Sequence, residues 1–261
     1  MHIVESFLLT QFATFVLVLA RVGALVMSAP VLGVKAAPVR VRAFLAVGLT
    51  LLVTPLQGAS TSVETHNMAV LGRQVLSETL VGLLLGLGIM IFFSGIQLAG
   101  QVVSQLGGTA LAETFDATMD LNTPVIAQLF YFLTLAMFVL VGGHRMLIEA
   151  LLETYVWLPP GQGQFGAGYV ATLTAVLGQS FLLGVRAVAP AMIALCLSTL
   201  ILGLVGRTLP QINILVVGFG VNALLTLASL FVSIGAVAWA FPERVDAVIE
   251  QLQAALRQSI S

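Results

Sequence analysis

The chain has 261 residues, of which 59% are hydrophobic and only 8% charged, and its formal net charge is −1. A soluble domain carries about 25% charged residues, so this composition, with a mean hydropathy of +1.09, argues for an integral membrane protein. The near-neutral balance excludes a basic nucleic-acid surface and gives no general attraction to anionic lipid, and a single cysteine, Cys196, excludes an internal disulfide.

The N-terminal stretch MHIVESFLLT carries Glu5 but no Lys or Arg before its apolar run. It therefore lacks the positive region of a signal peptide, and residues 6–30 are expected to form a retained first helix. Further apolar segments follow, so that the set reads roughly 6–33, 40–57, 68–100, 124–141, 168–205 and 211–240. They are too continuously apolar for amphipathic surface helices, and each is long enough, or nearly so, to cross a hydrocarbon core of about 30 Å. The last is charge-free from Thr208 to Pro242. A continuous helix of that length exceeds the core and must tilt, break or extend beyond it.

The links differ in character. Residues 34–42, VKAAPVRVR, place Lys35, Arg40 and Arg42 around Pro38. This densest basic cluster favours a cytoplasmic position. Residues 58–67 form a polar loop, and PPGQGQFGAG, starting at Pro159, cannot continue a helix. Residues 206–213, GRTLPQIN, form a tight polar break. There Arg207 and Asn213 are expected to satisfy helix-end groups beside Pro210, which lacks a backbone donor. In the tail, Val245, Val248, Ile249, Leu252, Leu256 and Ile260 recur at helical spacing, with Glu243, Arg244, Glu250 and Arg257 elsewhere on the wheel. An amphipathic helix at a surface is expected, docked on its own protein or on a partner.

One constellation invites chemistry. In QLGGTALAETFDATMDLNTP, Glu113, Asp116 and Asp120 follow i, i+3, i+7 spacing and would share one helix face. Three oxygen donors could hold a hard cation, but the pattern matches no calcium loop. Gly107 and Gly108 before the acids, and Asn122 to Pro124 after them, indicate a loop or interrupted helix. Such a stretch lies outside the bilayer or lines an aqueous path. The three histidines, His2, His66 and His144, make no metal-binding pair. No phosphate loop or nucleophile elbow is present, so nothing supports enzyme chemistry or a cofactor.

Arg21, Arg73, Glu78 and Arg186 lie in or at the edges of apolar runs. A charge at a helix centre costs about 2.5–3.5 kcal/mol to insert. Each should therefore face protein, water or a counter-charge, or snorkel from a helix end. Arg73 and Glu78, five apart, are near neighbours, or each pairs across subunits. Gly82 and Gly86 form a G-x-x-x-G pair, extended by Gly95, Gly100, Gly107 and Gly108. Close helix packing is expected there. Cys196, in ALCLSTL, reads as a packing residue.

Several blocks, in order, resemble the FliR/SctT family of type III secretion export-gate proteins. They are ARVGALVMSAPVLGVKAAPVRVR (20–42), LSETLVGLLLGLG (76–88), AGQVVSQLGG (99–108), LNTPVIAQLF (121–130), GGHRMLI (142–148) and GRTLPQINILVVGFG (206–220). The resemblance runs end to end, and the flagellar branch fits better than the virulence branch. It implies an all-α fold of long, partly broken apolar helices and hairpins that pack into a multi-subunit export gate. Residues 1–167 would be the FliP-like part, 168–242 a FliQ-like hairpin and 243–261 the amphipathic C-terminal helix. The partners implied are FliP-like and FliQ-like subunits, an FlhB-like subunit, exported flagellar proteins and membrane lipid, in the bacterial inner membrane at the flagellar basal body. No catalytic residue, metal or cofactor is implied.

In such proteins the loop matching 106–122 acts as a plug. The gating residues carried over are Gly107, Gly108, Glu113, Phe115, Asp116, Met119, Asp120, Asn122 and Pro124. Those carried over for assembly and structure are Arg21, Pro30, Pro38, Arg40, Glu78, Gly82, Gly86, His144, Arg207, Pro210, Gln211 and Asn213. The chain departs from the family pattern at Asp116-Ala117, where Asp-Pro is frequent, and at Gly218-Phe219-Gly220, where Gly-Phe-Pro is frequent. A secondary transporter for a small solute, with a midplane site at the broken helices, is the alternative.

Overall fold

A computed structural model describes residues 2–30, 38–57, 68–108, 124–163, 168–209, 211 and 214–258. Among them every regular element is helical. In chain order these are α1 (His2–Ser28), α2 (Val39–Val53) with a 3-10 turn (Thr54–Leu56), α3 (Met68–Leu106), α4 (Val125–Leu140), α5 (Gly143–Trp157), α6 (Gly168–Thr208) and α7 (Ile214–Gln258). The all-α expectation holds. Among the described residues five helices are long and apolar enough to cross a membrane.

The helix ends follow local chemistry. Pro38, with φ −53 and ψ 142, stands just before α2, where a missing N–H costs nothing. Gly142 stands between α4 and α5 with φ +81, a conformation that a Cβ would disfavour. Pro190 and Pro242 lie inside α6 and α7 without ending them. The tail is thus the end of α7 and not a separate helix.

Two compact units share these helices. The first comprises residues 1–91, 139–176 and 245–261. Its core joins Leu17, Val22 and Leu25 of α1, Val81, Leu85 and Ile89 of α3, Leu147 and Leu151 of α5, and Val245, Val248, Leu252 and Leu256 of α7. The apolar tail positions are therefore docked on their own chain. A Cβ at Gly88 would overlap the Leu252 side chain, so a missing side chain sets how closely the tail lies against α3. Arg257 stands over the Trp157 ring at 5.5 Å, and the Gln253 amide donates to Glu153 at 2.9 Å.

The second unit comprises residues 92–138 and 177–244. Its centre is aromatic. Phe93 meets Phe138 edge-on at 5.4 Å, Phe241 at 6.1 Å and Tyr131 at 6.2 Å, in geometries that ring quadrupoles favour. The antiparallel hairpin of α6 and α7 is pinned by the Ser198 hydroxyl, which donates to Asn222 Oδ1 at 2.6 Å. Cys196 corrects its expected packing role. It is exposed, because it falls on the outward stripe of α6 beside Leu197 and Leu200.

Candidate functional site

The glycine run of α3 shows how the helices are brought together. A Cβ at Gly82 would overlap the Arg21 carbonyl of α1, and one at Gly86 would overlap the Ser28 hydroxyl. In the second unit the same helix repeats the device with different neighbours. Gly95 abuts Ser180 of α6, Gly100 abuts Ala127 of α4, and Gly107 abuts the Thr226 hydroxyl of α7. Backbones can approach this closely only where side chains are absent. Gly184 of α6 reciprocates against the Gly95 carbonyl. The Ser180 hydroxyl uses the closeness to donate to the Phe92 carbonyl at 2.8 Å.

A polar knot occupies the core of the first unit. Arg21 and Glu78 are fully buried, and Arg21 Nε donates to Glu78 Oε2 at 2.5 Å. Nη1 donates to Thr154 Oγ1 at 2.9 Å, and both Nη atoms reach the Leu158 carbonyl at 3.1 Å. The guanidinium also lies 4.3 Å from the Tyr155 ring centre. The other Glu78 oxygen accepts the Gly161 N–H at 2.8 Å, where Gly161 has φ +88. One ion pair thereby fixes α1, α3, α5 and the link that follows Pro159. Its hydrogen bonds run to groups on separate elements, which suits the knot to holding structure. The expected nearness of Arg73 and Glu78 is corrected. Arg73 is exposed while Glu78 turns inward, because five residues on a helix do not share a face.

The acidic segment leaves and re-enters the second unit at one end. After Leu106, the Gly107 N–H still donates to the Val103 carbonyl at 2.9 Å. Gly108 then turns to φ +75 with nothing within 4 Å of a Cβ, which makes it a left-handed helix stop. Pro124 opens α4, and its carbonyl accepts the Gln128 N–H at 3.0 Å. Gly100 lies against Ala127, so antiparallel α3 and α4 bring the two mouths of the segment to the same side. Glu113, Phe115, Asp116, Met119, Asp120 and Asn122 lie outside the described residues, so the cation question for this acid trio does as well. Among the described residues no group of three or more metal-ligating side chains is positioned to hold an ion.

The remaining expected residues are scattered. Pro30 is buried in the turn after α1, whereas Pro38 and Arg40 are exposed at the start of α2. His144 is half-buried in the first turn of α5. Arg207 is exposed in the last turn of α6, where a cation complements the helix dipole. Gln211 is exposed, and Pro210 and Asn213 lie outside the described residues. Thr154, Tyr155, Leu158 and Gly161 were missed by sequence reasoning. Only an unpaired buried charge such as Arg21 signals that such partners exist, without naming them.

Most of the hairpin's outward surface is apolar. Ile193, Leu200 and Leu204 of α6 are exposed, as are Leu224 and Phe231 of α7. Such a surface requires lipid or protein against it.

Known proteins carry the same pattern. The profile of the bacterial export proteins, family 1, matches residues 12–248. The flagellar biosynthetic protein FliR of Caulobacter vibrioides is 28% identical over 243 residues, spanning 92% of this chain and 97% of that one. The FliR of Escherichia coli is 32% identical over 201 residues, spanning 77% and 76%. The secretion system apparatus protein SsaT of Salmonella typhimurium is 26% identical over 160 residues, spanning 61% and 62%. With a match that begins in the first helix and ends in the tail, the chain belongs to the bacterial export proteins, family 1, the type III export family that includes FliR.

Proposed function

We propose that this chain is a structural and gating subunit of the flagellar type III export channel, passing unfolded flagellar proteins across the bacterial inner membrane. The carrying observation is the near end-to-end family match, joined by relatives named for flagellar biosynthesis. The structure supports a packing role. Its only fully buried ion pair among the described residues ties three helices and a link together, and its hairpin offers a broad apolar face. FliP-like and FliQ-like subunits would cover part of that face, with an FlhB-like subunit alongside. The small-solute transporter reading falls away, because the matched family is one of protein export.

In this reading residues 106–122 form the plug. The segment joins α3 to α4, which are held by the close contact of Gly100 with Ala127, so it can be displaced while the two helices stay in place. Gating would move a loop between two states without remaking helices. Gly, Ala and Thr keep such a loop pliant, and Glu113, Asp116 and Asp120 keep it soluble when displaced.

The test is removal of the gene from its host. Flagellar proteins should vanish from the medium and filaments from the cell, with growth unchanged and the chain restoring both. Normal filaments in the deletion strain would overturn the assignment. In mild detergent the chain should migrate in a large complex with two other small membrane proteins; a monomer that binds a solute would contradict it.

A further inference from the structure

We propose that Thr226 of α7 is a positioning residue for the plug. Its hydroxyl sits in the notch left by the missing side chain of Gly107 and fixes the direction in which the chain leaves α3. The inference rests on the plug reading of residues 106–122 and adds the element that holds the plug, the α6–α7 hairpin.

Gly107 differs from the other close glycines of α3. Gly95 and Gly100 lie inside the helix, where the hydrogen-bond ladder continues on both sides and braces the backbone against a neighbour. Gly107 follows the last helical residue, Leu106. Its N–H still donates to the Val103 carbonyl at 2.9 Å. The next residue, Gly108, has turned to φ +75, and a Cβ there would meet nothing within 4 Å. The tertiary neighbour thus stands against Gly107 and leaves the side of Gly108 open. With two glycines in a row the backbone resists little by itself, so that neighbour decides the exit direction.

The neighbour is a hydroxyl held in place. A Cβ on Gly107 would overlap Thr226 Oγ1 and lie 3.5 Å from Thr226 Cβ. Thr226 is buried, and Oγ1 donates to the Asn222 carbonyl at 2.7 Å. A β-branched side chain is stiff at χ1, and turning away would give up that bond where no water replaces it. Asn222 itself accepts the Ser198 hydroxyl through Oδ1 at 2.6 Å, so the height of Thr226 is tied to α6 as well as to α7. Ser229 and Ser233, three and seven residues on, are buried too and continue the same face of α7. The hairpin therefore offers the notch one oxygen atom at one height. A slide or a turn of α7 takes that atom out of the notch and frees the chain exit, while the α3 ladder before Gly107 stays intact.

The experiment uses the full chain co-expressed with its partners. It reads ion permeability per assembled complex together with secretion of flagellar proteins. Thr226→Ala empties the notch, and Gly107→Ala fills it from the other side. Each should raise permeability severalfold while secretion continues, because the helices themselves are unchanged. In the double variant the added Cβ faces the Cβ of residue 226 at 3.5 Å, an ordinary contact, and permeability should return toward that of the parent. Gly107→Ala combined with Thr226→Val keeps a methyl where the hydroxyl was and should stay leaky. Thr226→Ala adds no atom, so it decides the matter even where Gly107→Ala does not assemble. Parent-like permeability in Thr226→Ala would overturn the inference. So would a double variant that fails to recover, or a leak joined by lost secretion, which marks a collapsed assembly. The deletion of residues 108–118 runs alongside. A leaky deletion with a tight Thr226→Ala strikes this inference and leaves the plug reading standing, whereas a tight deletion strikes both.

Discussion

Arg21 and Glu78 stand fifty-seven positions apart in the chain and form a completely buried ion pair at 2.5 Å. Removing one partner leaves a charge stranded away from water, which costs about 3–5 kcal/mol. Glu78→Gln and Arg21→Met should each lower the thermal midpoint of the purified complex sharply and reduce its yield. The double variant Arg21→Met with Glu78→Leu should recover part of the loss, because no charge is then left alone. Equal damage from double and single variants would show that the hydrogen bonds to Leu158 and Gly161 matter more than the ion pair.

The glycine contacts of α3 predict an opposite pair of outcomes. Gly82→Val forces a side chain into the α1 backbone and should cost about 1–3 kcal/mol from overpacking. Gly23→Ala in α1 meets nothing within 4 Å and should be neutral or stabilise by up to about 1 kcal/mol through helix propensity. Chemical denaturation of the detergent-solubilised chain measures both. A tolerated Gly82→Val would mean that α1 and α3 separate easily.

The gating assignment predicts a leak. Deleting residues 108–118 should raise ion or small-molecule permeability when the chain is co-expressed with its partners. Unchanged permeability would remove the plug. A milder variant, Gly108→Ala, places a Cβ on a residue with φ +75 and should cost about 1 kcal/mol of local strain, readable as a shifted exit of the segment from α3.

The docked tail can be probed at Leu252, which is fully buried and lies against Gly88. Leu252→Ala should destabilise by about 2–5 kcal/mol, and proteolysis should then clip the C-terminal end of α7 faster than in the parent. An unchanged cleavage rate would show that the tail is held by its rim contacts instead.

The Arg207→Ala variant separates two roles for the polar break. The exposed side chain complements the end of α6, a contribution of about 0.3–1 kcal/mol. Complex yield should fall slightly if the break is only a connector, and severely if a partner reads it.

Period and composition alone determined the long apolar helices, the amphipathic tail and the need of Arg21 and Glu78 for company, because helical spacing and the cost of burying charge are local properties; the shorter α5 (Gly143–Trp157), which carries Thr154 and Tyr155, lay outside every expected apolar segment. The ordered blocks of residues also carried the family, since a long match does not depend on knowing the fold. Only the tertiary structure decided which charges meet and which glycines face which helix. Arg21 finds Glu78, Thr154 and Leu158 across helices far apart in sequence, and nothing local encodes that choice. It also decided that Cys196 looks outward and the tail inward, because hydropathy reports how apolar a face is and not what lies against it.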